Sequence, residues 1–237
     1  SLPILPFRTH GEKQLKWGVV ARDFSLWRGV KPLIREADFV ISSGRKVALI
    51  GRNGGGKTTL LETILAEAGK NPLPEGAEFE GKLEVLPLTR IGYLPQKPAE
   101  INPQEDVLDY FRKMVVVSEE EAKEILGKVL FADVSRRKMG DFSSGEVRRI
   151  QLAALFASGP DLIILDELTN HLDIYTIEML EDALNRFKGG VLVVSYDEWF
   201  LRNIGIQKLL IFKRRGGVLE QKITPEGISL ENFFAGG

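Results

Sequence analysis

Gly51-Arg52-Asn53-Gly54-Gly55-Gly56-Lys57-Thr58 has the spacing G-x-x-x-x-G-K-[ST]. Glycines let such a loop turn its N–H groups inward onto anionic oxygens, and a helix starting at its end adds the positive end of its dipole. In that setting Lys57 can reach terminal phosphates and the Thr58 hydroxyl can ligate Mg²⁺, with Thr59 following in the same turn. The chemistry implied is capture of a nucleoside triphosphate with magnesium. Further along, Leu162-Ile163-Ile164-Leu165-Asp166-Glu167 is an apolar run that ends in two carboxylates. Asp166 is expected beside the Mg²⁺. Glu167 is the candidate general base that would polarise a water attacking the γ-phosphate. Standing alone, the same run reads equally as a strand ending in a solvated acidic turn; the glycine loop upstream favours the catalytic reading.

These groups need a scaffold that brings distant segments together. Lys46 to Ile50 reads as a short buried strand feeding the glycine loop, and Lys57 to Ala68 as the helix after it, ending at Gly69. Lys16 to Ser25 and Leu33 to Ile41 alternate around the turn-prone Arg28-Gly29 and predict a strand pair. Lys82 to Leu94 reads as extended structure interrupted at Pro87, after a Pro/Gly-rich loop from Asn71 to Gly76. Helical spacing runs from Glu105 to Leu130, with the acidic run Glu119 to Glu121 opening a second helix where its dipole favours negative charge. A helix from Gly145 to Ala157 precedes the strand Leu162 to Leu165. Then come a helix from Tyr175 to Phe187, a strand from Val191 to Ser195, a short helix, and a hairpin from Lys208 to Ile223. Strands alternating with helices predict an α/β fold whose largely parallel sheet is covered on both faces.

Composition narrows the possibilities. The chain has 237 residues, 43% of them hydrophobic, which is enough for one sizeable core. Its 32 basic and 33 acidic residues nearly cancel, so no bulk charge draws it to nucleic acid or to a membrane surface. Cysteine is absent, and the two histidines, His10 and His171, lie far apart, which argues against disulfides and zinc. A metal should therefore be held by oxygen. The apolar runs fall well short of the roughly 20 residues needed to cross a bilayer, and Ser1 to Arg8 lacks the features of a signal peptide. A cytoplasmic location is expected.

Four segments in chain order carry a family resemblance. Gly51 to Thr58, Gln96 within Tyr93-Leu94-Pro95-Gln96, Phe142-Ser143-Ser144-Gly145-Glu146, and Asp166-Glu167-Leu168-Thr169-Asn170-His171-Leu172-Asp173 resemble the Walker A, Q-loop, signature and Walker B plus D-loop elements of ATP-binding-cassette (ABC) ATPases. The likeness covers residues from about 18 to 215. Within the superfamily, Thr169 to Asp173 resembles the F subfamily, soluble proteins with two such domains in one chain that act on ribosomes. The stretch between Gln96 and Ser143 has room for only two or three short helices, which suits a soluble protein better than a transporter ATPase.

The resemblance implies a P-loop NTPase fold of the ABC type, with a mixed sheet core, an antiparallel β subdomain and a small helical subdomain at about 100–157. Residues 1–15 would be an extension or linker and 16–237 the ATPase domain. It also implies ATP and Mg²⁺ as cofactors and a head-to-tail pairing with a second ABC domain, in the same chain or in a second copy. Ser143, Ser144, Gly145 and Glu146 would then meet ATP held by that partner, with Asp173 close by. The same residues, Ser143 and Glu146, also read as a helix capping box, and capping and phosphate binding use the same amides. Gln96 would bridge Mg²⁺ and the attacking water. Trp27 is a candidate to stack on adenine, with packing in the core or at an edge as the alternative.

Three positions depart from the family pattern. Val193-Val194-Ser195-Tyr196-Asp197 resembles the switch segment, but Tyr196 replaces its histidine. A neutral phenol with one donor is a poor substitute for an imidazole, so slow turnover with retained binding is expected. Ser144 replaces the first signature glycine and adds a side chain near the partner's nucleotide. Leu168 replaces a common proline, with little effect expected. Among basic residues, Lys208, Lys213, Arg214 and Arg215, and separately Arg136, Arg137 and Lys138, could meet RNA phosphates of a ribosome, or could be solvated surface. The alternative partner is the membrane-spanning subunit of a transporter.

Overall fold

Successive residues of a strand face opposite ways, and here both directions are apolar. In β3 (Lys46–Ile50), Val47 and Leu49 join one hydrophobic cluster while Ala48 and Ile50 join another. The same split occurs in β6 (Leu162–Asp166) and β7 (Gly190–Val194), all of whose residues are buried. A strand buried on both faces must lie inside a sandwich of layers. In the computed structural model these strands form the centre of a six-stranded sheet of order β5-β6-β7-β3-β8-β9. β5 is Ile91–Leu94, β8 Lys208–Phe212 and β9 Val218–Lys222. Pairing is parallel throughout except between β8 and β9. The structure describes residues 18–42, 44–96, 100–168 and 172–212 and the backbone of 218–222. The expected extension at 1–15, Thr169 to His171, and Lys213 to Arg215 lie outside the described residues.

One face of the sheet carries α1 (Lys57–Glu67) and a three-stranded antiparallel sheet of order β2-β1-β4. Its strands are β1 (Gly18–Arg28), β2 (Lys31–Ser42) and β4 (Ala77–Val85). The other face carries α2 (Val107–Met114), α3 (Glu119–Leu130), α4 (Ser144–Ala157), α5 (Ile174–Arg186) and α6 (Glu198–Asn203). Each of these five helices starts at a side-chain cap, from Asp106, Ser118, Ser143, Asp173 and Asp197 in turn. Such caps satisfy amides that a helix start leaves open. α1 differs: Gly56 stands at its cap with no side-chain hydrogen bond, and no acidic residue lies in its first turn.

The stretch expected to be extended from Lys82 to Leu94 is two strands in two different sheets. β4 pairs antiparallel with β1, whereas β5 pairs parallel with β6. Pro87 and its neighbours are thus the passage between layers, which a run of extended residues does not reveal.

Candidate nucleotide site

Parallel neighbours end on the same side of a sheet, and ligand sites of open α/β sheets gather there. Leu94 pairs with Leu165, Asp166 with Val194, and Val194 with Leu49. The loops that follow β5, β6, β7 and β3 therefore emerge side by side. They bear Gln96, Asp166 with Glu167, Tyr196, and the glycine loop at 51–56. Four segments separated by up to most of the chain length are made adjacent by strand order alone.

Two glycines in the loop cannot be anything else. Gly51 has φ 153° and an added Cβ would lie 2.6 Å from Phe212 Cβ; Gly56 has φ 101° and an added Cβ would lie 2.9 Å from Leu33 Cβ. The β1–β2 hairpin also holds the loop from outside, since Lys31 Nζ donates to the Gly54 carbonyl at 3.1 Å.

Lys57 is only 4% exposed and donates to the carbonyls of Gly51 at 2.8 Å and Arg52 at 3.0 Å and to the Tyr196 hydroxyl at 2.5 Å. Its Nζ lies 3.9 Å from Glu167 Oε1. Burial lowers the ammonium pKa, and Glu167 and Asp166 pull it back up. The Tyr196 hydroxyl sits within hydrogen-bond reach of the Gly51 carbonyl and of Asn53 Oδ1, the latter at 2.9 Å. With a single proton it can serve one of these acceptors fully at a time. Burial, with Glu167 and Asp166 adding repulsion, pushes the phenol's pKa up to about 12. Tyr196 is therefore neutral near pH 7 and reaches into the glycine loop itself.

Asp166 is 2% exposed; its Oδ2 accepts from Thr58 Oγ1 at 3.1 Å and its Oδ1 is buried with no hydrogen-bond partner. Burial raises its pKa, and the Thr58 hydrogen bond opposes the rise. A buried carboxylate oxygen without a partner is costly unless a cation completes it. Among the described residues no group of three or more His, Cys, Asp or Glu gathers. A metal here must take the rest of its shell from a hydroxyl, phosphates and water, which suits Mg²⁺ and fits Thr58 and Asp166.

Glu167 adopts φ 47° and donates its N–H to the Val194 carbonyl at 2.9 Å. A left-handed backbone at a non-glycine residue costs about 1–2 kcal/mol. Its carboxylate Oε2 accepts from Gln96 Nε2 at 3.0 Å. Gln96, Glu167, Lys57 and Tyr196 are thus in one contact chain. Leu168, in the place of the family's proline, is 3% exposed and part of the core.

The other expected residues form a second group. Ser143 and Glu146 make a reciprocal capping box: Ser143 Oγ accepts from the Glu146 N–H at 3.3 Å, and Glu146 Oε2 accepts from the Ser143 N–H at 2.8 Å. Asp173 caps α5 through the Thr176 N–H at 2.8 Å, and its Oδ2 would be 3.0 Å from a Cβ at Gly145. Ser143 and Ser144 are exposed. Among the described residues no hydrogen bond or ion pair joins 143–146 to 51–58.

Trp27 lies on the β1–β2 hairpin, paired with Pro32 between Lys31 and Leu33, both of which touch the glycine loop. It is half-buried in a cavity of about 430 Å³ lined with Leu73, Ala77, Glu78, Phe79 and Glu80, none of them in the glycine loop. Of the basic clusters, Arg137 lies 3.9 Å over the Phe142 ring and donates to the Asp141 carbonyl, and Lys138 donates to Gln104. Lys208 donates to the Val40 carbonyl. Each of these three cations has a hydrogen-bond partner within the chain. Sequence reasoning missed Lys31 and also Arg148, whose guanidinium holds the Pro95 and Gln96 carbonyls. Neither carries a motif; only the folded contacts reveal them.

Comparison with known proteins agrees with this geometry. The family model for the ABC transporter matches residues 34–170. The chain is 35% identical over 184 residues to the ribosome protection protein VmlR of Bacillus subtilis, covering 77% of this chain and 32% of that protein. It is 36% identical over 193 residues to ABC transporter F family member 2 of Arabidopsis thaliana, covering 80% and 27%. With the ATP-binding protein Uup of Caulobacter vibrioides it shares 36% over 184 residues, covering 77% and 28%. The chain thus spans about a third or less of the length of these relatives. A solved ATP-binding subunit of an ABC transporter superposes with a TM-score of 0.73 at 21% identity, covering 92% of this chain and 98% of that one. A bacterial Atm1-family ABC exporter with ATP bound gives 0.68 at 16%, covering 100% and 42%. With the loop, the carboxylates, Gln96 and the capped signature helix all in place, the chain belongs to the ABC family as an ATP-binding domain and is most similar to the F subfamily.

Proposed function

We propose that this domain binds ATP with Mg²⁺ at 51–58 and hydrolyses it as one half of a head-to-tail pair with a second ABC domain. The observation that carries this reading is the separation of the two groups. Lys57, Asp166, Glu167 and Gln96 are assembled around one loop, while Ser143 and Gly145 at the start of α4 and Asp173 at the start of α5 stand apart, with no hydrogen bond or ion pair to the glycine loop among the described residues. A second domain facing this one would bring the two groups together across a nucleotide. Mg²⁺ would be held by Thr58 and Asp166 and would neutralise phosphate charge; Glu167, oriented by Gln96, would accept a proton from the attacking water. Residues 16–237 act as the ATPase domain, with the helical subdomain at about 100–157.

Tyr196 gives this site slow turnover. Its hydroxyl is committed to Lys57 and the loop carbonyl, where the family's histidine would be free to contact the γ-phosphate. The likeness to F-type relatives supports a cytoplasmic protein working on the ribosome or another large assembly, and VmlR is named for ribosome protection. Transporter subunits share the fold, and among the described residues no helix is long and apolar enough to cross a membrane. Co-purification with ribosomes supports the first reading and co-purification with membranes the second. The primary test is retention of labelled ATP with magnesium: wild type retains it and Lys57→Ala does not. Equal retention by both sinks the proposal.

A further inference from the structure

Arg148 lies one turn inside α4, behind the exposed start of that helix, and is 4% exposed. Its Nη2 donates to the carbonyls of Pro95 at 2.9 Å and Gln96 at 2.5 Å, and its Nη1 donates to Gln151 Oε1 at 3.0 Å. Gln151 Nε2 in turn donates to the Tyr110 hydroxyl on α2 at 3.1 Å. Every one of these partners is neutral, and among the described residues no carboxylate lies within ion-pair distance of Arg148. A buried cation without a counter-ion is a poor way to gain stability, and an apolar side chain of similar volume would pack there at lower cost. What a guanidinium supplies is geometry. Its planar fork fixes several acceptors at once, which a flexible ammonium does not do.

The carbonyl that Arg148 grips belongs to the residue whose side chain touches the candidate base. Gln96 Nε2 donates to Glu167 Oε2 at 3.0 Å, and Glu167 lies 3.9 Å from Lys57. A continuous chain of contacts therefore runs from the helix bearing Ser143 and Gly145, through Arg148 and Gln96, to Glu167. We infer that Arg148 is a positioning residue for hydrolysis, locking the Gln96 loop to the signature helix so that the aim of Gln96 at Glu167 follows the docking of α4. The inference rests on the ATPase reading above. Its consequence is that nucleotide held by the second domain and engaged by the start of α4 reports on this domain's own site through one side chain. Tyr110 and Gln151 extend the same clamp to α2, so the helical layer and the Gln96 loop move as one body.

The test uses the full-length protein with its paired domain and compares wild type, Arg148→Met, Arg148→Lys, Gln96→Ala and the Arg148→Met/Gln96→Ala double variant. ATP affinity, kcat and Tm are measured for each. Loss of the clamp is expected to lower kcat roughly 10- to 100-fold, the worth of a hydrogen bond to a charged group, with Kd within about threefold of wild type. Arg148→Lys keeps the charge without the fork and should fall between. In the Gln96→Ala background the Arg148→Met substitution should change kcat by less than about twofold, because its route to Glu167 is already cut. An unchanged kcat for Arg148→Met, or the same loss with and without Gln96, overturns the inference. If Arg148→Met fails to fold, Arg148→Lys decides: lowered kcat at retained Kd supports the clamp, and unchanged kcat overturns it. Failure of the wild type to retain ATP overturns the ATPase reading and the inference together, whereas normal wild-type turnover with indifferent variants overturns the inference alone.

Discussion

Replacing Tyr196 by Phe removes one oxygen and leaves the ring in place. That oxygen takes a hydrogen bond from Lys57 Nζ at 2.5 Å. The ring centroid is 5.0 Å from the same ammonium, so Phe keeps the cation–π contact while losing only the hydroxyl. Lys57 also keeps the Gly51 and Arg52 carbonyls. To reach the β and γ phosphates, Lys57 has to leave Tyr196, and a hydrogen bond from a charged donor is worth roughly 1.5–3 kcal/mol net. At 1.4 kcal/mol per tenfold, Tyr196→Phe should tighten ATP binding about 10- to 100-fold. The assay is equilibrium binding of Mg-ATP to wild type and variant under conditions where turnover is negligible. An affinity that is unchanged within about twofold, or weaker in the variant, refutes the reasoning, because the hydroxyl would then accompany the phosphates and not compete with them. Turnover tests the same residue differently: Tyr196→His should raise kcat by a factor on the order of 10² in the paired assembly by restoring a donor aimed at developing charge. A rate that stays at the wild-type level counts against the slow-site proposal.

Other substitutions probe the remaining groups. Glu167→Gln should retain ATP and lower hydrolysis by a factor on the order of 10² to 10⁴, read as phosphate release over bound nucleotide. Asp166→Asn should weaken the magnesium dependence of ATP binding. The same change should stabilise the nucleotide-free domain by roughly 1–3 kcal/mol in urea unfolding, since the unpartnered Oδ1 no longer carries charge. The capping carboxylate of Glu146 is held below its ordinary pKa, chiefly by the Ser143 N–H and then by the Ser143 hydroxyl. A depressed pKa means that its contribution is fully present above the unfolded value and disappears as pH falls through the folded one. Unfolding measured against pH should therefore show wild type losing its advantage over Glu146→Gln towards acid, by at most about 1 kcal/mol at this partly exposed position.

The strands that lead to the candidate site were readable because their residues are apolar in both directions and end in punctuation: Ile50 before Gly51, Leu165 before Asp166, Val194 before Ser195. The start of α4 was readable from Ser143 and Glu146, whose side chains form in the fold the capping box that their spacing announces. Sheet membership was not. Pro87 marks a break in Lys82 to Leu94 but does not tell that the chain leaves one sheet and enters another there, because strand pairing is a long-range choice. Trp27 illustrates a related limit. Alternation places it opposite the buried Leu26, on the face of its cross-strand neighbour Glu78, and the residues beside it there, Leu73 and Ala77, come from far along the chain. Arg148 belongs to no motif in the sequence; its burial against two carbonyls depends on how α4 docks on the end of β5.

The crowding at Gly145 separates two neighbouring positions that a motif treats alike. Asp173 Oδ2, which a methyl at 145 would press at 3.0 Å, is already engaged by the Thr176 hydroxyl at 2.9 Å and lies 4.0 Å from Arg149 Nη1, so it has little freedom to retreat. Ser144 is exposed, so its side chain does not crowd the packing of its own chain. A side chain at 144 is therefore one that only a docking partner would feel, whereas one at 145 would press on the residue that caps α5.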